Sequence, residues 1–437
     1  MIISNKEFAK RRRQLMRMMG DDAIAIIPAA PEKIRNRDTH YPFRQDSDFH
    51  YLTGFPEPEA VAVFVPGRRQ AEYVLFCRER DLVMETWNGR RAGQEGAVTE
   101  YAADDAFPIN DIDDILPGLM EARERVFYTM GSQPEFDQRV IKWVKRLRAQ
   151  VRSGRHTPQE FISLEHFLHD MRLYKSRAEI SNMRRAAKIS VAAHKRALSS
   201  CRPGMYEYEL EAELLHEFRR EGGVNAYPPI VGGGANSCIL HYTDNNAELA
   251  DGDLVLIDAG CEFKGYASDV TRTFPINGRF TPEQRAIYEL VLKAQQAAIQ
   301  EARPGNHWND VHDAAVKVLN AGLVKLGLIK ATAAKSAKEG AYKQFFMHRT
   351  GHWLGLDVHD VGDYKVGDQW RELEPGMVMT VEPGLYIPAG TKGVAKKWWN
   401  IGVRIEDDVL VTKGDADVLS RDLLKDPDDI EAFMQSA

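Results

Sequence analysis

The second half of the chain contains the same pattern of turns and apolar runs twice. Each copy has an Arg-Pro-Gly turn before a helical pattern, and later a glycine turn that leads into an apolar run. The copies lie at residues 202–204 and 303–305 for the first feature, and at 249–258 and 373–382 for the second. Such a repeat predicts two structurally related halves around a pseudo-two-fold axis.

Each half supplies two carboxylates from adjacent predicted strands, Asp258 and Asp269 in the first and Glu382 and Glu406 in the second. In both halves a glycine stands four residues before the second acid. A single acid at a strand end is commonly a turn residue. Four acids in duplicated positions beside buried strands are costly to ionise without compensating cations. One arginine does not supply enough positive charge, so the pattern predicts two divalent cations, with some carboxylates bridging both.

Histidines accompany these acids. His348, His352 and His359 fall within one short glycine-containing segment, and His241 lies in a separate loop after three consecutive glycines. Imidazole can serve as a neutral ligand or as a proton carrier near neutral pH. A donor set rich in oxygen with one histidine favours manganese, with cobalt or zinc as substitutes in vitro, over a thiolate zinc site. The spacing is not H-E-x-x-H, so a zincin helix is not implied.

The first third of the chain alternates strand-like runs, such as Ala60–Phe64, with turns and helical pieces, which predicts a mixed α/β domain. A capping box at Ser176–Glu179 begins a new helical pattern. A connecting helix is expected around Thr157–Leu173. We therefore predict two domains, residues 1–172 and 173–437.

Composition excludes several classes of protein. The net charge is −6 with both signs mixed along the chain, which argues against a nucleic-acid partner. The cluster Lys10–Arg13 is expected to be the solvated side of an N-terminal helix. No apolar run suits a signal peptide or a membrane span. The four cysteines form no C-x-x-C pair, as is typical of a reducing compartment. These features predict a soluble cytoplasmic protein.

The chain resembles aminopeptidase P (Xaa-Pro aminopeptidase) of the bacterial type, within the pita-bread metallopeptidase superfamily that also holds prolidase and methionine aminopeptidase. The resemblance runs over nearly the whole chain and includes residues 37–49, 51–55 and 85–91. It implies an α/β (α+β) fold in which a duplicated pita-bread catalytic domain follows a smaller mixed α/β domain. It also implies a homo-oligomer, a tetramer or a dimer.

The resemblance further implies roles for individual residues. It fills the five metal-ligand positions with Asp258, Asp269, His352, Glu382 and Glu406. Asp269 and Glu406 would bridge the metals, and Glu382 would accept the proton from the water that the two metals share. Substrate-side and supporting positions match His241, His348, His359 and Arg404. Asp38 would hold the free amine of the peptide, and Trp87 would close the proline pocket, on this or a neighbouring subunit, with ordinary packing as the alternative for Trp87. Arg349 stands where a glycine often follows the first histidine.

The expected activity is hydrolysis of the N-terminal Xaa-Pro bond of peptides with proline at the second position. Prolidase, which cleaves Xaa-Pro dipeptides, is the nearest alternative because it shares the metal chemistry. Methionine aminopeptidase has no need of the long N-terminal domain, and creatinase-like hydrolases lack the metals. A non-catalytic binding module of the same fold is the alternative from another class. Such modules usually lose the ligands, whereas this chain has all five.

Overall fold

The computed structural model describes residues 3–436, which divide into two compact units between Met171 and Arg172. The helices of the first unit are α1 (Asn5–Met19), α2 (Ser47–Thr53), α3 (Leu82–Asn88), α4 (Gly93–Thr99), α5 (Ile112–Met120), α6 (Pro134–Arg148) and α7 (Glu165–Leu173), the last of which spans the division. Its strands are β1 (Ala23–Pro28), β2 (Ile34–Asn36), β3 (Thr39–His40), β4 (Val61–Phe64), β5 (Tyr73–Cys77), β6 (Asp105–Pro108), β7 (Arg125–Phe127) and β8 (Glu160–Ile162).

A six-stranded sheet organises this first unit, with the strand order β6-β5-β4-β1-β7-β8. The central strands β1, β4 and β5 are almost entirely buried, as expected for strands covered on both faces. Ile24 and Ile26 on β1 pack with Leu116 of α5 and Trp143 of α6 in one core cluster. The prediction of a mixed α/β domain is confirmed.

Two expectations for this unit are wrong. The connecting helix ends at Leu173 as expected but begins at Glu165 rather than at Thr157, because β8 occupies residues 160–162 and pairs in parallel with β7. Arg11 and Arg12 are not solvated: they are 3% and 4% exposed and donate to the carbonyls of Tyr51 and Leu52 at 3.0 Å each. These carbonyls lie at the C-terminal end of α2, where a helix leaves acceptors without partners of its own.

The second unit contains α8 (Arg177–Ser200), α9 (Glu207–Arg220), α10 (Pro282–Glu301), α11 (Trp308–Lys325), α12 (Ala333–Glu339) and α13 (Pro427–Ser436). Its strands are β9 (Val224–Asn225), β10 (Ile230–Gly233), β11 (Leu254–Asp258), β12 (Cys261–Phe263), β13 (Tyr266–Ala267), β14 (Thr271–Pro275), β15 (Lys365–Val366), β16 (Gln369–Trp370), β17 (Val378–Val381), β18 (Gly384–Ile387), β19 (Ile401–Arg404), β20 (Asp407–Leu410) and β21 (Asp417–Val418).

The sequence repeat corresponds to a repeated arrangement of these elements. Helices α8 and α9 pack together in the first half, as α10 and α11 do in the second. In the first half β11 pairs antiparallel with β14, and in the second half β17 pairs antiparallel with β20. The Arg-Pro-Gly turns precede α9 and α11. The predicted pita-bread architecture of two related halves is confirmed.

The helix starts follow the local capping chemistry. Ser176 accepts from the amide of Glu179 and closes the predicted capping box at the start of α8. Thr281 caps α10 in the same way, with Pro282 at the first helical position. No described helix combines the length and the apolar character that crossing a membrane requires.

Candidate metal centre

The first strand pair presents two carboxylates and a tyrosine. Asp258 is the last residue of β11 and lies opposite Thr271 of β14, and Asp269 stands two residues before that partner. The hydroxyl of Tyr227 lies 2.6 Å from Oδ1 of Asp258 and 2.5 Å from Oδ1 of Asp269. The two acids are therefore held on one side of the sheet, with Tyr227 between them.

The second strand pair presents Glu382 and Glu406 in the same manner. Glu382 follows β17, and Glu406 precedes β20 directly at the point where Val381 and Asp407 pair. The hydroxyl of Thr271 on β14 donates to Oε2 of Glu406 at 2.6 Å. The carboxylates of the two halves therefore meet at the junction of the two strand pairs.

His352 completes the cluster from a loop that pairs with the second half. Its amide donates to Oγ1 of Thr380 at 3.1 Å, and its carbonyl accepts from the amide of Thr380 at 2.9 Å. Nδ1 lies 2.9 Å from the carbonyl of Trp353, which can only accept, so Nδ1 carries the proton. Nε2 then faces Oδ2 of Asp269 at 3.3 Å and Oε1 of Glu382 at 3.7 Å.

The donor atoms of three of these residues could hold one ion. Ligand atoms of Asp269, His352 and Glu406 all lie within 4.8 Å of one another. Fixing the ring of a histidine ligand through its other nitrogen, as the carbonyl of Trp353 does here, is the usual arrangement in metal sites.

Because these carboxylates are buried, they are difficult to ionise without added positive charge nearby. Burial raises the pKa of Asp258, raises that of Glu382 to about 7, and raises that of Glu406 well above its usual value. Burial acts in the same direction on Asp269, but the hydrogen bond and charge of His352, together with Tyr227 and Arg404, outweigh it and hold the pKa of Asp269 below its usual value. Crowded buried carboxylates of this kind are the donors that divalent cations neutralise.

Two positive charges face these four acids. Burial acts to lower the pKa of His352, but the hydrogen bond with Asp269 and the negative charges of Glu382 and Asp269 together outweigh it and raise that pKa to about 9. Arg404 is 3% exposed and donates to Oδ2 of Asp258 at 2.6 Å and to the hydroxyl of Tyr386 at 3.0 Å. When His352 is neutral, as a metal ligand must be, only the charge of Arg404 among these residues balances the four carboxylates. The donor set therefore suits divalent cations, which would supply the missing positive charge.

The three remaining histidines surround this cluster. Nε2 of His348 lies 2.9 Å from the hydroxyl of Tyr386, and its Nδ1 lies 3.9 Å from Oε2 of Glu382. The ring of His359 contacts that of His352, with 4.3 Å between centroids. His241 is near enough to lower the pKa of both His348 and His359. Burial is the larger cause of both shifts and lowers the pKa of His348 to about 3.

The two other residues predicted to bind substrate lie in the first unit. Asp38 is exposed in the turn between β2 and β3. Trp87 lies on α3 and is 80% exposed. Helix α3 buries none of its side chains, so ordinary packing within the described chain does not account for Trp87.

Three residues of the cluster were missed by the sequence analysis: Tyr227, Thr271 and Tyr386. None belongs to the acid and histidine pattern, and each acts through a single hydroxyl. Thr271 begins β14 two residues after Asp269, and Tyr386 lies on β18 four residues after Glu382. Proximity to the predicted ligands was the feature that could have identified these two, whereas Tyr227 is brought in from a distant loop.

Comparison with known proteins places these features in a family. Residues 181–413 match metallopeptidase family M24, and residues 8–128 match the aminopeptidase P N-terminal domain. The Xaa-Pro aminopeptidase of Escherichia coli K12 is 46% identical over 437 residues, which cover 100% of this chain and 99% of that protein.

Solved structures agree with this comparison. The Pseudomonas aeruginosa aminopeptidase PepP has a TM-score of 0.98 and 58% identity, with 99% of this chain and 98% of that one covered. A zinc-substituted Escherichia coli aminopeptidase P, in complex with product, has a TM-score of 0.97 and 46% identity, with 100% and 99% covered. The resemblance seen in the sequence is confirmed: this chain belongs to metallopeptidase family M24 and carries the N-terminal domain of aminopeptidase P.

Proposed function

We propose that this chain is a metal-dependent exopeptidase that hydrolyses the bond between the N-terminal residue of a peptide and a proline at the second position. The observation that carries the proposal is the convergence of four buried carboxylates and His352 at the junction of two duplicated strand pairs. Two relatives that match this chain over nearly their whole length are named Xaa-Pro aminopeptidase, and this supports the proposed substrate class.

The proposed cofactor is a pair of divalent cations, which Asp258, Asp269, His352, Glu382 and Glu406 would hold, with Asp269 and Glu406 as the ligands that both ions would share. An oxygen-rich donor set supports manganese, and the zinc-substituted relative supports zinc as a substitute. When bound, such ions supply Lewis-acid polarisation of a carbonyl and lower the pKa of water. Arg404 would hold Asp258 in its ionised form, and Tyr227 would orient Asp258 and Asp269.

Glu382 is the proposed acceptor of the proton from the attacking water. Its Oε1 faces Nε2 of His352, while Oε2 lies on the side of His348. One oxygen can therefore serve as a ligand while the other takes a proton. His348 has a lowered pKa and stays neutral near pH 7, so it can hydrogen-bond the substrate without adding charge.

The oxyanion and the leaving group need further donors. The ring of His359 contacts that of His352, and the charge of His241 acts on His348; either His359 or His241 could donate to the developing oxyanion. The nitrogen of a prolyl leaving group has no N–H and must gain a proton as it departs. A site for this bond therefore needs no acceptor at that nitrogen and can surround the ring with imidazole and apolar surface.

Selectivity for a free N-terminus and for proline would come from the first unit. Asp38 is the proposed partner of the free amine, and Trp87 the proposed wall of the proline pocket. Because Trp87 is 80% exposed on a helix that buries nothing, we propose that it acts in a homo-oligomer, a tetramer or a dimer. Four cysteines without disulfide partners support a cytoplasmic location.

Prolidase remains the second candidate, because it would use the same metal centre. The match of residues 8–128 to the aminopeptidase P N-terminal domain favours the aminopeptidase. A direct test strips the protein of metal, restores manganese, and compares three substrates: an Xaa-Pro-Yaa tripeptide, an Xaa-Pro dipeptide and a Met-Ala-Yaa peptide. Metal-dependent release of the first residue, fastest from the Xaa-Pro tripeptide, is expected. Dipeptide preference would identify a prolidase, and no hydrolysis with metal bound would favour a binding module.

A further inference from the structure

Arg349 directly follows His348, at the position where a glycine is common in proteins that this chain resembles. Arg349 is not one of the described residues that have a positive φ angle. The backbone here therefore has no need of the conformational freedom of glycine. What Arg349 adds is a side chain, and its contacts determine its effect on the histidine segment.

The guanidinium of Arg349 is held between a helix and a strand. Its Nη2 donates to Oδ1 of Asn309 on α11 at 2.6 Å. Its central carbon lies 5.2 Å from the ring centroid of Trp370 on β16, within the range of a cation–π contact. Nδ2 of Asn309 in turn donates to Oδ2 of Asp313 at 2.7 Å. This second bond fixes which way the amide of Asn309 faces, so its oxygen is presented to Arg349.

The main chain of Arg349 acts on the neighbouring histidine. Its carbonyl lies 2.7 Å from Nδ1 of His348. A carbonyl can only accept, so Nδ1 of His348 carries the proton. Nε2 is then free to accept from the hydroxyl of Tyr386, 2.9 Å away. The direction of the Arg349 carbonyl therefore sets both the tautomer and the orientation of the His348 ring.

Helix α11 contacts the same segment a second time. Nδ1 of His312 lies 2.8 Å from Oγ1 of Thr350, one helical turn beyond Asn309. Thr350 is 2% exposed, and its carbonyl accepts from the amide of Glu382 at 2.8 Å. One helix face thus anchors two consecutive residues, and both anchors lead to the metal centre, one through His348 and one through Glu382.

We propose that Arg349 is a positioning residue, which ties the His348–Thr350 segment to α11 and thereby sets the tautomer and orientation of the His348 imidazole. The proposal rests on the proposed function, in which His348 faces the substrate. Without the side chain, the peptide group at residue 349 can rotate, and its carbonyl no longer holds Nδ1. A misaligned imidazole loses contacts made in the transition state more than contacts made in the ground state.

The kinetic test uses Arg349→Gly, Arg349→Lys, Asn309→Ala and the double variant Arg349→Gly/Asn309→Ala, with manganese present. Arg349→Gly is expected to lower kcat about tenfold, the scale of losing a group that orients a functional side chain. KM should change by less than about twofold, because ground-state binding is retained. Arg349→Lys, which keeps one donor and the cation, should restore most of kcat. The double variant should be no slower than Arg349→Gly, since both changes break one link.

Lys365 provides a matched control, because it is a second cation in contact with the Trp370 ring. Lys365 lies 4.6 Å from the Trp370 ring centroid and, among the described residues, has no recorded contact with His348, so Lys365→Ala should leave kcat unchanged. An equal loss in Lys365→Ala, additive losses in the double variant, or wild-type kcat in Arg349→Gly would each overturn the proposal.

A second readout does not depend on activity. In protein with ¹⁵N-labelled histidine, the resonances of His348, assigned with a His348→Gln variant, report which ring nitrogen is protonated. The Nδ1–H form is expected in the wild type, with loss of that single form in Arg349→Gly and recovery in Arg349→Lys. An unchanged spectrum in Arg349→Gly would overturn the proposal. If the wild type cleaves no Xaa-Pro peptide and the spectrum still responds, the proposed function fails while Arg349 still positions His348.

Discussion

The amide of Glu406 donates to the carbonyl of Thr271 across 3.1 Å and so joins the strand pair of the second half to that of the first. The side chains of the same two residues also meet, because the Thr271 hydroxyl donates to Oε2 of Glu406 at 2.6 Å. Nε of Arg404 donates to that hydroxyl at 3.2 Å. One small side chain therefore supports a proposed bridging ligand and the arginine that pairs with Asp258.

Removing this hydroxyl should weaken metal binding. In Thr271→Val the shape is kept, but Glu406 loses a donor and Arg404 loses an acceptor. We expect metal affinity to fall about 10- to 100-fold, the usual effect of losing a group that orients a ligand. Titration of metal-free protein with manganese, followed by calorimetry, measures this change.

Thr273 provides the matched control on the same strand. Its hydroxyl bonds to main-chain atoms of Arg404, donating to the carbonyl at 3.0 Å and accepting from the amide at 3.2 Å. Thr273→Val should therefore lower the free energy of unfolding by about 1–3 kcal/mol with little change in metal affinity. Equal losses of affinity in both variants would show that Thr271 has no specific role.

Bound metal should stabilise the folded protein because its positive charge balances the negative charge of the buried carboxylates. A ligand present at 100 times its Kd adds about 2.7 kcal/mol to the free energy of unfolding. Adding manganese to chelator-treated protein should therefore raise Tm, and Asp269→Asn should abolish the rise together with peptide hydrolysis. The exposed Asp422→Asn serves as the control and should behave as the wild type. A manganese response retained in Asp269→Asn would contradict the proposed ligand set.

A buried ion-pair cluster next to His359 should control stability in acid. Oδ1 of Asp360 lies 2.5 Å from Nη2 of Arg172, and its Oδ2 lies 3.0 Å from Nζ of Lys175. Burial acts to raise the pKa of Asp360, but the two cations outweigh it and hold that pKa below its ordinary value of 3.8. The folded protein thus binds this proton more weakly than the unfolded chain does. The contribution of Asp360 is therefore complete above pH 3.8 and is lost as the pH falls below it.

Replacing Asp360 with asparagine removes the buried negative charge that Arg172 and Lys175 share. Asp360→Asn should lower the free energy of unfolding by about 3–5 kcal/mol at pH 7. It should also flatten the dependence of stability on pH below pH 4. Urea denaturation between pH 7 and pH 3 measures both effects. Asp357, which pairs with the same arginine from a side chain that is 36% exposed, is the control, and Asp357→Asn should cost much less. Equal costs would mean that burial of the pair at Asp360 is unimportant.

The exposed tryptophan gives a test of the oligomer. If Trp87 closes the proline pocket of a neighbouring subunit, Trp87→Ala should lower kcat/KM for Xaa-Pro tripeptides about tenfold, equivalent to ~1.4 kcal/mol. Leu82→Ala, at an equally exposed position of the same helix, should change kcat/KM little. Unchanged kinetics in Trp87→Ala, measured where the protein is oligomeric, would remove Trp87 from the substrate site.

The sequence by itself determined the duplicated architecture, the helix starts and the identity of the clustered acids. It could do so because these features depend on local chemistry. Apolar runs form strands, Ser176 and Thr281 cap helices, and a repeated pattern of glycine turns and apolar runs indicates a repeated arrangement of strands and helices. The residue types at Asp258, Asp269, His352, Glu382 and Glu406 likewise carry their chemistry in the side chain.

Only the tertiary structure decided which partners those side chains meet. Tyr227 reaches Asp258 and Asp269 from a loop more than thirty residues away in the chain. Arg11 and Arg12 looked like a solvated cluster, yet both are buried and donate to carbonyls at the C-terminal end of α2. No local pattern encodes such contacts, because a hydroxyl or a guanidinium is satisfied by whichever acceptor the packed chain brings within reach.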